Sequence, residues 1–268
     1  MPGLALAAMP PLLDVPPGGP RLIAIPTTSG SGADASWTAD LVAEDGAPVE
    51  VAHRALVPEW SLLDPAFAAT LPPAAVVDGA LESLALAVEA YLSAWSGPFS
   101  DALALDAATT VLRRLPHAIR WSDDPDARAA LHYAASAAGL AASNAQRGVA
   151  HALARALEGP TGLGYARLLG LVLPAVLEFD HPSARDRIET LTERARGRDD
   201  RDDRPLAARL RRLEETVGAP ASVRSAHGRI EAERATIVER TLRAPGILGN
   251  PRVPTRADVE AILGRVLG

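Results

Sequence analysis

Asp78 and Glu82 stand four residues apart in the run DGALESLALAVEAYLS, a spacing that puts both carboxylates on one face of a helix. Further along, NAQRGVAHALARAL carries His151 and, one helical turn later, Arg155; Tyr165 follows after a Gly-rich break. Two carboxylates and one imidazole are a chemically sensible ligand set for iron or manganese, so Asp78, Glu82 and His151 are candidate metal ligands. Arg155 would suit a carboxylate or phosphate on a substrate, and Tyr165 could donate a proton or a hydrogen bond to one. Structural duties account for the same residues: Asp78 capping the start of its helix, Glu82 pairing with Arg155 or Arg147, His151 hydrogen-bonded for packing, Tyr165 filling volume. A second candidate is the segment RLIAIPTTSGSGADAS, where a short apolar strand at 22–25 runs into paired threonines and alternating glycines. Thr27, Thr28, Gly30 and Gly32 would expose amides and hydroxyls able to cradle an anion, although such a loop also serves as a plain turn. The other five histidines, His53, His117, His132, His181 and His227, lack ligand spacing and are expected at the surface or in loops.

The elements that must position these residues divide the chain into three segments. Residues 1–20 are rich in Pro and Gly, without periodicity, and read as an irregular arm. Residues 21–70 hold the strand and the PTTSGSG loop, followed by alternating polar and β-branched residues around EDGAP, a turn signal suited to a hairpin. From residue 71 to 268, long Ala/Leu-rich segments with helical spacing are separated by breaks at 96–98, 123–125, 159–164 and 180–182, which predicts a bundle of six to eight helices. The mixed-charge stretch RARGRDDRDDRP, 194–205, reads as a solvated loop or helix end. APGILGNPRVPTRADVEAIL closes the sequence with a turn and a helix capped by Thr255, with Asp258 in its first turn.

Composition narrows the classes. A chain of 268 residues, 48% hydrophobic and 4% aromatic, holds enough apolar material for a real core and favours helices packed through small aliphatic side chains. A net charge of −6 without a basic run speaks against nucleic acid as partner, and no apolar run reaches membrane-spanning length. The N-terminus, MPGLALAAMPPLLDVPPGG, has no basic region and is broken by prolines, so it makes a poor signal peptide. Absence of cysteine removes disulfides, thiolate catalysis and Cys-ligated metals and fits a cytoplasmic protein; absence of lysine removes Schiff-base chemistry and the Walker lysine.

Six segments, in order, resemble motifs of the iron-containing alcohol dehydrogenases: IPTTSGSGADAS is similar to their IPTTxGTGSE, LLDPAFAATLP to DPxLxxxLP, EAYLS with PFSDALAL to EAYxS and PxSDxxAL, GVAHALA to GxxHxxA, LVLPAVLEF to LLPxVxxF, and GNPRVPT to NPRxxT. The resemblance spans 22–268 and implies the helical, metal-binding half of that fold, mainly α, with a small residual β part and no complete Rossmann-like domain before Arg21. It implies that the PTTSGSG loop lies against a nicotinamide dinucleotide, NAD(P), which would need a partner chain to complete its site. It also implies an Asp and three His around one iron or zinc ion. Here those four places hold Glu82, Leu86, His151 and Tyr165, and the family's further His one turn after the first becomes Arg155. One imidazole, one carboxylate and one phenol remain, with a guanidinium beside them.

Three functions follow from that pattern. One is a degenerate or accessory subunit of an oxidoreductase assembly, a homo- or hetero-oligomer including a full-length dehydrogenase paralogue, in a setting such as a natural-product or modified-peptide pathway. A second is a repurposed enzyme in which Glu82, His151, Arg155 and Tyr165 serve non-redox or partner-assisted redox chemistry. The third is an ordinary metal- and NAD(P)-dependent alcohol dehydrogenase, aldehyde reductase or maleylacetate reductase.

Overall fold

The computed structural model describes residues 21–42, 48–122, 124–197, 201–219 and 222–268; the arm expected over 1–20 lies outside them. Proline starts several of the helices. The first three, α1 (Pro73–Leu92), α2 (Pro98–Arg120) and α3 (Pro125–Ala145), each open on Pro at a first-turn position, where a missing N–H costs nothing and a fixed φ is already helical. Asp124 caps α3 by accepting from the amides of Asp126 and Ala127, 2.9 and 3.2 Å away. Helix α4 (Val149–Thr161) runs through Gly159 and stops at Gly162, whose left-handed φ of 70° suits glycine. The expected break at 180–182 is instead a distortion inside one long element, α5 (Tyr165–Ala195), where Pro182 removes an amide and Ala184 leaves helical geometry. Arg113 closes the end of α5 by donating to the carbonyls of Arg194, Ala195 and Arg196. Three more helices follow: α6 (Leu206–Thr216), α7 (His227–Arg243) and α8 (Arg256–Leu267). Thr255 and Asp258 form the expected capping box of α8. Eight α-helices among the described residues meet the mainly α expectation.

Helix α1 is the axis of the bundle. It packs against α2, α3 and α5, and it is apolar nearly all round, with 14 of its 20 residues buried. Its alanines at 80, 85, 87 and 90 share one core with alanines of α2 and α3 such as Ala104, Ala108, Ala138 and Ala141. A central, largely buried helix holds its polar residues rigidly, and both Glu82 and Glu89 sit on it.

The β part consists of two pairs. Strand β1 (Ile23–Ala24), shorter than the 22–25 run expected, lies parallel to β4 (Trp60–Ser61). Strands β2 (Thr38–Val42) and β3 (Pro48–Ala52) form the expected antiparallel hairpin, with Thr38 opposite Ala52 and Asp40 opposite Glu50; the turn at 43–47 lies outside the described residues. Like charges directly opposite on a ribbon repel. Arg147 answers both, at 3.7 Å from Asp40 and 3.3 Å from Glu50, and donates to the Thr38 hydroxyl at 2.8 Å, so the ribbon is tied to the segment between α3 and α4. The β1–β4 pair leaves apolar side chains uncovered: Ile23 is 55% and Trp60 63% exposed, with Leu22, Leu62 and Phe67 also exposed.

Candidate functional site

Glu89, near the end of α1, is the buried anchor of the site. Its Oε2 accepts from the Gly148 amide at 2.8 Å and its Oε1 from the Ala150 amide at 2.5 Å, satisfying two of the donors that the start of α4 leaves free. The same carboxylate holds Nδ1 of His151 in a short hydrogen bond. Gly148 is required here, because a Cβ on it would lie 2.7 Å from both Glu89 Oε1 and Asn250 Oδ1. Asn250 completes the support: its Oδ1 accepts from the Val149 amide at 3.3 Å, while its amide nitrogen donates to Asp180 at 2.6 Å and to the Arg252 carbonyl at 3.0 Å. Burial pushes the Asp180 carboxyl up to about 8, against the opposing effect of the Asn250 hydrogen bond. With Nδ1 turned to Glu89, Nε2 is the ring nitrogen left over. That nitrogen is buried without a partner among the described residues.

The cleft side of His151 is made of different material. Two adjoining hollows of about 300 and 370 Å³ share Asp40, Arg147, His151 and Tyr165. Arg155 lies over the Tyr165 ring at 4.1 Å, bonds Asp40 and reaches Glu158 at 3.0 Å. The Tyr165 ring meets the His151 ring edge-on at 6.0 Å. Burial raises the pKa of Tyr165 above its ordinary value, outweighing the pull of Arg147 and Arg155, so the phenol stays neutral. Glu82 lines the larger hollow with Leu86. Burial raises its pKa, with His151, Arg147 and Arg155 pulling the other way.

Several expectations are corrected here. Asp78 does not join Glu82 and His151: its carboxylate takes Arg167 Nε at 2.6 Å, on the side of α1 that faces α5. Nor does it cap α1, which begins five residues earlier at Pro73. Glu82 has no ion pair within 4 Å among the described residues, so its relation to Arg147 and Arg155 is through-space only. His132 is not a surface histidine; it is buried, with Nδ1 3.0 Å from the Ser29 hydroxyl and Nε2 unpartnered. Gly30 and Gly32 serve packing. A Cβ on Gly30 would meet Glu82 and the Gly79 backbone at 2.9 Å, and one on Gly32 would come within 2.5–2.7 Å of the backbone of α3 at Ala135 and Gly139. The bare sides of both glycines therefore face helices rather than a ligand. Thr27 and Thr28 line a separate hollow beside His132.

Arranged this way, the helices match known proteins. The profile of the Fe-containing alcohol dehydrogenase family, C-terminal, covers residues 76–267. The chain belongs to the iron-containing alcohol dehydrogenase family. It is 29% identical over 239 residues to the probable alcohol dehydrogenase EutG of Salmonella typhimurium, covering 89% of this chain and 60% of that one. It is 35% identical over 159 residues to the 1-propanol dehydrogenase PduQ of Citrobacter freundii, covering 59% and 43%. The solved iron-containing alcohol dehydrogenase of Thermococcus thioreducens superposes with a TM-score of 0.84 at 28% identity, over 95% of this chain and 68% of that chain. This chain thus spans less than two thirds of the length of these curated relatives.

The family implies a divalent metal and a nicotinamide dinucleotide, and the residues present fit neither well. Of the four ligand places, Glu82 and His151 offer donors a metal would use, whereas Leu86 offers hydrocarbon and Tyr165 a neutral phenol. Arg147 lines the hollow that holds all four, and Arg155 lines the adjoining one with His151 and Tyr165. Among the described residues no three His, Cys, Asp or Glu side chains are grouped to hold an ion. For the dinucleotide, the loop lines a hollow with Thr27, Thr28 and Gly32, while the Cβ sides of Gly30 and Gly32 are closed by α1 and α3. Sequence reasoning missed the roles of Glu89, Asn250, Asp180 and Asp40. The signal available for the first two was their place in the motifs EAY and NPR, where a polar residue sits among apolar ones.

Proposed function

We propose that this chain is an iron-containing alcohol dehydrogenase-like subunit that does not itself perform metal-dependent hydride transfer and serves as an accessory member of an oxidoreductase assembly, with a full-length dehydrogenase as partner. The observation that carries the reading is Arg155, stacked on Tyr165 and bonded to Asp40, in the space where the family resemblance calls for imidazoles. A cation there repels a divalent ion, and two donors bind one weakly. The uncovered apolar surface around Ile23 and Trp60 supports a partner. Any NAD(P) is then held with help from that partner. A second reading, catalysis in the altered cleft, is favoured by one feature, the unpartnered Nε2 of His151.

Co-expression with a full-length relative bearing Asp and three His tests the accessory role. The two chains are expected to co-purify, with a double substitution Ile23→Asp/Trp60→Asp releasing this chain and lowering the relative's NAD(P)H-dependent aldehyde reduction. Separate elution of the two wild-type chains, or unchanged reduction after release, would remove the accessory reading.

A further inference from the structure

Asp40 on β2 is shared by two cations. Its Oδ2 accepts from Arg155 on α4 and lies 3.7 Å from Nη1 of Arg147, just before α4, so one carboxylate oxygen bridges two guanidiniums. Two forked donors converging on one oxygen make an arrangement suited to carboxylate or phosphate, and here an acid of the chain itself occupies it. The surroundings make that acid exchangeable. Asp40 is 35% and Arg155 28% exposed, and an ion pair open to water contributes little. Asp40 also stands directly opposite Glu50 on the ribbon, where like charges repel. Without Asp40, Arg147 keeps Glu50 at 3.3 Å and the Thr38 hydroxyl at 2.8 Å, while Arg155 keeps Glu158 at 3.0 Å and its place over the Tyr165 ring at 4.1 Å. Both guanidiniums therefore stay in position when that carboxylate lets go. They contact three carboxylates in all, so an anion enters only in exchange for one of them, and Asp40 is the one both share. The ribbon is rooted elsewhere: the Ala35 carbonyl takes the Ser143 hydroxyl at 3.1 Å and Ala52 is buried, whereas among the described residues the two strands pack chiefly on each other. Asp40 lines both hollows beside Tyr165, and Ala152, Ala156, Ala244 and Pro245 give the smaller one, about 300 Å³, an apolar wall near the two guanidiniums, which suits hydrocarbon attached to an anion.

We infer that Arg147 and Arg155 form an oxyanion clamp that Asp40 keeps closed from within, and that the clamp takes the carboxylate or phosphate group of a small anion in exchange for Asp40. Asp40 is then an autoinhibitory contact. The clamp needs no metal ion and stands whether the chain is an accessory subunit or a catalyst.

Calorimetric titration of the full chain, treated with EDTA, with inorganic phosphate at fixed low ionic strength tests the inference. Asp40→Asn, which removes the internal carboxylate and keeps its size, should bind phosphate about tenfold or more tighter than the wild type. Asp40→Ala should show the same gain, and both variants should unfold close to the wild-type temperature, as loss of a contact open to water requires. Adding Arg147→Gln or Arg155→Gln to Asp40→Asn should abolish the gain. Glu158→Gln takes the same charge from Arg155 without touching Arg147 and should gain less than about threefold. Phosphate binding no tighter in Asp40→Asn and Asp40→Ala than in the wild type overturns the inference, as does a gain that survives loss of either arginine. An equal gain in Glu158→Gln would reduce the effect to net charge and overturn it too, and unfolding of both Asp40 variants would show a structural contact in place of an exchangeable one.

Discussion

The two sides of the His151 ring are built on different principles. Behind it, Glu89, Asn250 and Asp180 are all 5% exposed or less, and their hydrogen bonds run to one another, to the His151 ring, to the backbone at the start of α4 and to the Arg252 carbonyl. In front, Arg147, Arg155, Asp40 and Glu82 are partly exposed and linked by charge. The rear shell is part of folding: the amides of Gly148 and Ala150 need Glu89 whatever the cleft contains. The front side carries no such duty, because a leucine, an arginine or a tyrosine there fits without leaving a backbone group unpaired. A ligand position can therefore be changed at small cost, while the residue that orients the remaining histidine cannot. That asymmetry lets the front of the cleft vary while the frame behind it stays.

The sharpest way to probe this asymmetry is to rebuild the front on the existing rear. Leu86→His/Arg155→His/Tyr165→His should raise zinc affinity roughly 100-fold or more over the wild type, since Glu82, His151 and the Glu89 hydrogen bond are in place; isothermal titration checks this, and an unchanged affinity would mean the rear shell is not a preorganised half-site. Removing the anchor acts on stability instead. Glu89→Leu leaves two amides and the His151 ring without their acceptor and should cost about 3 kcal/mol or more in urea unfolding, whereas a loss below 1 kcal/mol, on the order of a single exposed contact, would break the contrast. Gly148→Ala presses a methyl against Glu89 and Asn250 and should cost about 1–3 kcal/mol, measured the same way. The smallest effect is in the pH dependence. Asp180 and Glu214 are both pushed up to about 8, first by burial. Each keeps its proton in the native state at pH values where the unfolded chain has released it, so their contribution to stability falls as pH rises from about 4 to 8. His132, whose pKa burial lowers, acts in the opposite sense. Comparing Asp180→Asn with wild type isolates the first effect, and the variant should show a shallower decline across that window; identical slopes would place an ionised Asp180 in the native protein.

Much of the architecture was legible in the residues, because helix signals are local. Prolines at helix starts, Gly162 after α4 and the Thr255/Asp258 box mark ends that the structure reproduces. The distortion at Ala184 was readable as a break from Pro182, although packing of Leu173, Val176, Ile188 and Leu191 into the shared core carries the helix through it. The front of the site was half legible: spacing put Asp78 and Glu82 on a common face, but with side chains pointing from different turns Asp78 meets Arg167 instead. What spacing does not reveal is pairing between distant segments. Asp40 and Glu50 become a site for Arg147 only once the ribbon folds over the bundle, and Glu89 reads as one more polar residue on α1 until α4 places its amides above it. The loop glycines misled for a related reason: a bare Cα serves an anion and a helix backbone equally, and only the fold tells which is adjacent.

Metal content of the purified wild-type chain by elemental analysis, beside Glu82→Ala and His151→Ala, tests most directly whether the front of the cleft has ceased to be a metal centre. Far less than one equivalent of iron, zinc or manganese, unchanged by either substitution, is the expected result. Near-stoichiometric metal in the wild type that is lost in both variants would contradict it and return the chain to metal-dependent chemistry.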